Sequence, residues 1–155
     1  MCRRVSRRML GRAVTDDQVL LVQNSFRLVV PIADTAAELF YARVFQLDPS
    51  LRALFPAAMA DQRRKLMQML SVVIGSLRYV DDLAPAIEAL GRRHANYGVH
   101  PEHFDTIGSA LLWTLAQGLG PVFTPDVEAA WTAFYERIAE IMQRGMADAQ
   151  LPRAA

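Results

Sequence analysis

LGRRHANYGV, residues 90–99, decides how the rest of the chain is read. Leu83, Ile87, Leu90 and His94 fall at helical offsets of 0, 4, 7 and 11, so an imidazole ends a stripe that is otherwise apolar. Gly98 follows four residues later, where a helix commonly exits through a left-handed residue. An imidazole at the buried end of a short helix, backed by a local carbonyl, is a good metal ligand. Taken alone it is also a common core residue hydrogen-bonded to the backbone. The other helices must decide between the two.

Punctuation on either side is helical. Thr15 and Gln18 frame a capping-box pattern, with Val19, Val22, Phe26 and Val29 on one face before Pro31. A second helix is expected from about Ile32 to Leu47, and a short helical turn from Asp48 to Leu54. A long amphipathic helix should span Asp61 to Val80, and a shorter one Leu83 to Ala95. Another begins after Pro101 and stops at Gly118–Pro121. Thr124 and Pro125 open the last, which carries Val127, Trp131, Phe134, Ile138 and Ile141 on one face. Nothing reads as strand or repeat, so the expected fold class is all-α, with about seven helices.

At 155 residues the chain fits one domain, able to bury roughly 70% of its unfolded surface. Apolar residues make up 52% and charged residues 21%, and the formal charge of +1 gives no case for nucleic acid or a membrane surface. No apolar run reaches the ~20 residues of a membrane span. Cys2 is the only cysteine, so no internal disulfide forms and a reducing cytoplasm fits. The first twelve residues hold five arginines and no signal core. Residues 1–13 therefore read as a disordered basic lead-in, 14–147 as the domain and 148–155 as a flexible tail.

Two further polar residues interrupt apolar faces. Gln62 shares its stripe with Leu66, Met69 and Val73, and Tyr41 shares one with Ala37, Val44 and Phe45. Singly, each has an ordinary explanation: a glutamine at a helix start often faces solvent, and a tyrosine is commonly core with its hydroxyl at the rim. Together with His94 they offer a nitrogen ligand, a phenol and an amide on three helices. His100 and His103 flank Pro101 in a loop and complete no tetrahedral zinc set. One protein ligand with an open position points to a metal already held by something else, such as a porphyrin.

At this point the chain resembles the globin family, in particular bacterial single-domain globins and the globin part of flavohaemoglobins. The resemblance rests on Phe40-Tyr41, FPA at 55–57, DQRRKLMQML at 61–70, LGRRHANYGV at 90–99, PEHFDTIGSALLWTL at 101–115 and AAWTAFYERI at 129–138. It implies a globin fold sandwiching haem b, with His94 as the proximal iron ligand and Phe55 wedged against the porphyrin. It assigns Tyr41 and Gln62 to the distal pair and Leu66 to the residue crowding the sixth site. Leu90, Val99, Phe104 and Ile107 become haem contacts, and Lys65 a partner for a propionate. Flavohaemoglobins back the proximal histidine with a tyrosine and a glutamate, whereas Phe104 and Met146 stand at the matching positions here.

The function so implied is reversible dioxygen binding at ferrous iron, for storage or transport, by a cytoplasmic monomer or homodimer with no catalytic residue. The alternatives are nitric oxide dioxygenation with an external reductase, since the sequence runs to Ala155 without a flavin or nicotinamide domain, and a gas-sensing module. Carbon monoxide and nitric oxide are the other expected ligands.

Overall fold

The computed structural model describes residues 14–150. α1 (Asp16–Val29) opens with the expected capping box. The Gln18 amide donates to Thr15 Oγ1 (3.2 Å) and the Thr15 amide to Gln18 Oε1 (3.1 Å), satisfying two donors of the first turn. Pro31 lies in a 3-10 turn, Val30–Ile32, that leads into α2 (Ala33–Leu47). Asp48 then caps a 3-10 segment, Pro49–Leu54, by accepting from the Ser50 amide (3.1 Å). The order continues with α3 (Ala60–Gly75), α4 (Ala84–Asn96), α5 (His103–Leu119) and α6 (Pro125–Gln150).

The described residues thus hold six α-helices, where seven were expected. The turn at Pro49–Leu54 is 3-10, too short to settle into α-helical bonding. α3 also stops at Gly75, well before Val80. From there the chain runs as a 3-10 segment, Leu77–Leu83, kinked at Tyr79. Leu77 and Val80 stay buried because residues three apart eclipse on a 3-10 turn, so the apolar spacing continues while the helix type changes. At the far end, α6 runs past the expected start of a tail at residue 148 to Gln150. Ala147, Asp148 and Ala149 hold nothing that breaks a helix before Pro152. Residues 151–155, like the lead-in 1–13, lie outside the described residues.

Gly98 does adopt the left-handed exit, at φ +90°, and the Val99 amide donates back to the His94 carbonyl (3.1 Å). No helix among the described residues is long and apolar enough to cross a membrane.

Two cores form. The larger joins α1, α4, α5 and α6 through Val22, Phe26, Ile87, Leu115, Trp131 and Met146. Trp131 Nε1 donates to Ser25 Oγ (2.8 Å), which donates to the Leu21 carbonyl (2.6 Å), so the buried indole is satisfied. The smaller core holds Phe40, Tyr41 and Val44 of α2 with Leu51 and Ala110. Glycines set α4 against α6 at backbone distance. A Cβ at Gly91 would lie 2.8 Å from the Met142 carbonyl carbon, and one at Gly145 2.7 Å from that of Glu88. α3 packs on α2 instead, and α3 and α4 are barely in contact.

Candidate functional site

Tyr41 sits on the buried face of α2 with Ala37 and Val44, and is 6% exposed. Phe40, Phe45 and Phe55 crowd its ring at centroid distances of 5.0, 6.2 and 5.5 Å. Gln62, in the first turn of α3, donates from Nε2 to Tyr41 Oη at 3.1 Å. A phenol oxygen engaged as an acceptor keeps its own proton for another partner. Burial raises the Tyr41 phenol above its ordinary range, and the Gln62 bond opposes this more weakly, so the group stays a protonated donor at neutral pH.

Phe55 follows the 3-10 segment directly and is half-buried. Leu66, one turn beyond Gln62, and Ile107 on α5 pack into the same small core. Leu90, Val99 and Phe104 pack instead in the larger core. His94 is half-buried near the end of α4, with Nδ1 2.8 Å from the Leu90 carbonyl one turn earlier. Bonding to a carbonyl puts the proton on Nδ1 and leaves the Nε2 lone pair available. The residues named from sequence therefore divide into two groups. Gln62 bonds into the smaller core and His94 into the larger.

Lys65 is exposed and has no ion-pair partner among the described residues, whereas Arg63 and Arg64 pair with Asp34 and Asp61. His103 is the first residue of α5, not a loop residue, and its Nδ1 accepts from the His100 amide (3.0 Å). The described residues contain no group of three side chains able to hold a metal ion.

Met146 is almost fully buried, and neither it nor Phe104 can accept a proton from His94. A phenol that spacing did not single out does reach this region. Tyr135 of α6 donates to the Phe104 carbonyl, its ring seated against Gly108, where a Cβ would come within 2.6 Å. Burial pushes this phenol well above the ordinary range; the Asp105 charge adds to the shift and the Gly108 amide opposes it. The only sequence signal was a small residue four positions after Phe104.

A porphyrin suits this arrangement on two observations. α3 carries the apolar residues Leu66, Met67, Met69, Leu70 and Val73, yet only Ile74 of that helix is buried. An apolar stripe left half-covered beside a helix it barely touches calls for an apolar body next to it. On the other helix, His94 offers Nε2 as a single nitrogen donor, which fits an iron already held by four macrocycle nitrogens.

The comparisons with known proteins agree. The Globin family model matches residues 38–142, more than half of the chain. A flavohemoprotein of Xylella fastidiosa is 31% identical over 128 residues, covering 81% of this chain and 32% of that protein. A flavohemoprotein of Vibrio cholerae is 26% identical over 131 residues, with 83% and 33% covered. The chain thus spans about a third of the length of these curated relatives. Among solved structures, a bacterial globin from Campylobacter jejuni superposes with a TM-score of 0.77 at 18% identity, covering 86% of this chain and 97% of that one. An engineered carbene transferase from Rhodothermus marinus gives 0.78 at 23% identity, with 87% and 94% covered. The chain belongs to the globin family, whose members bind haem.

Proposed function

We propose that this protein is a cytoplasmic haem b globin that binds dioxygen reversibly, with His94 as the only protein ligand to iron and Tyr41 and Gln62 as donors on the opposite face. The observation that carries the reading is the Gln62–Tyr41 hydrogen bond of 3.1 Å inside an aromatic enclosure. It occupies the phenol oxygen and leaves its proton for a ligand on the distal side. Haem supplies the iron at which the gas binds. Around it, the Tyr41 hydroxyl donates to a ligand that gains negative charge, which favours dioxygen over carbon monoxide. Phe55, Leu66 and Ile107 keep water from that face. The Leu90 carbonyl fixes the His94 ring, and Lys65 is free to pair with a propionate.

Among the described residues His94 Nδ1 bonds the Leu90 carbonyl and no carboxylate, so nothing there makes it strongly electron-donating, and carriage is favoured over peroxidase chemistry. The flavohemoprotein relatives favour a second reading. In it, dioxygen, nitric oxide and one electron from a separate reductase give nitrate. Absorption spectra of the oxidised, reduced and carbon monoxide-treated protein test haem binding. A reduced sample that forms a stable, reversible oxygenated spectrum in air supports carriage, and immediate oxidation to the ferric state refutes it. Sustained nitric oxide consumption with a generic reductase would favour the second reading.

A further inference from the structure

Arg52, the fourth residue of the 3-10 segment, stands outside every role above. Its Nη1 donates to the carbonyls of Phe55 (3.2 Å) and Pro56 (3.0 Å), and its Nη2 to that of Ala57 (3.2 Å). The guanidinium also lies over the Phe45 ring, 5.2 Å from its centroid. Phe45 in turn meets Phe55 edge-on at 5.6 Å, and both rings flank Tyr41. Among the described residues, no other hydrogen bond reaches these three carbonyls, and no backbone–backbone bond ties residues 56–58 to anything. One side chain therefore holds the conformation of the loop that follows Phe55. A planar fork can serve three successive carbonyls while its carbon stays over an aromatic ring, which is why an arginine fits and a lysine would not.

We propose that Arg52 is a positioning residue for the distal wall: it holds Phe55 against Tyr41, keeps the loop at residues 55–57 shut, and so sets how fast the cofactor escapes on that side. The inference rests on the haem-globin reading. Three charge-assisted bonds are at stake, and losing the strength of one of them corresponds to about a tenfold change in rate.

The test uses the haem-loaded protein with Arg52→Met and Arg52→Lys variants. Haem transfer to an excess of a haem-free acceptor globin is followed by absorbance, and limited elastase digestion reads cleavage at Ala57 and Ala58. Arg52→Met should lose haem about tenfold faster and be cut several-fold faster, with Arg52→Lys recovering less than half of either effect. Haem loss within twofold of wild type, unchanged cleavage, or full recovery by lysine overturns the proposal. A wild-type protein that holds no haem at all refutes the globin-function reading instead, and the elastase comparison still decides the clamp.

Discussion

Removing a single oxygen atom, in Tyr41→Phe, tests the distal mechanism most directly. The side chain is 6% exposed, so water does not replace the lost hydroxyl. A hydrogen bond to a partly charged acceptor contributes about 1.5–3 kcal/mol, and about 1.4 kcal/mol is tenfold in a rate. Oxygen dissociation should therefore accelerate between about 10- and 150-fold. The structure places the outcome near the lower limit. Gln62 Nε2 loses its acceptor at 3.1 Å and, half-buried at the start of α3, is free to donate to the ligand instead. Gln62→Leu leaves the phenol proton in place and should cost less than tenfold. In the double variant no donor is left, so its loss should exceed the sum of the two single losses in free energy. Stopped-flow displacement gives these rates, and carbon monoxide dissociation should change far less because that ligand gains little charge. Equal changes for the two gases would mean a steric gate, and the hydrogen-bonding argument would be wrong.

Gly91→Ala forces a Cβ against the Met142 carbonyl, and backbone cannot swing aside, so unfolding stability should fall by at least about 1–3 kcal/mol; an unchanged melting temperature would mean that α4 and α6 part easily. His94→Ala should lose stoichiometric haem and regain it with added imidazole, whereas normal haem content would remove the ligand assignment. In the wild type, the iron–histidine stretch should fall in the range of oxygen carriers, because among the described residues Nδ1 bonds the Leu90 carbonyl alone. Tyr41 and Tyr135 are both raised above the tyrosine value of 10.0, so folding favours their protonated forms. Stability is then unaffected by them below about pH 10 and falls as the pH rises beyond it. Urea midpoints at pH 8 and pH 11 should show that loss, and Tyr135→Phe should shrink it.

Local chemistry made much of this legible in advance. The capping box at Thr15, the left-handed exit at Gly98 and the proline start of α6 each depend on a few adjacent residues, and each is present. Tyr41, Gln62 and His94 were visible because a polar group on an apolar stripe has to be explained by something beside it. The end of α3 was not visible, since the buried spacing of Ile74, Leu77 and Val80 suits an α-helix and a 3-10 turn alike. Arg52 and Tyr135 were missed for a different reason. Their hydrogen-bond partners are backbone carbonyls, which every residue possesses, so no pattern of polar side chains marks them. Gly91 lay within the most informative stretch of the chain, yet its reason for being glycine is the carbonyl of a helix some fifty residues away.

That pair of glycines also governs how motion travels. With Gly91 against Met142 and Gly145 against Glu88, α4 has no compliant layer of side chains between itself and α6 at these points. A small displacement of His94 cannot be absorbed there by rotamer changes; it stays within the last turn of α4 or shifts α6 as a rigid rod. Toward α3, which α4 barely touches, no such lever exists. The protein is therefore mechanically one-sided: the helix bearing His94 transmits to α6, while the helix bearing Gln62 is tied to α2 instead.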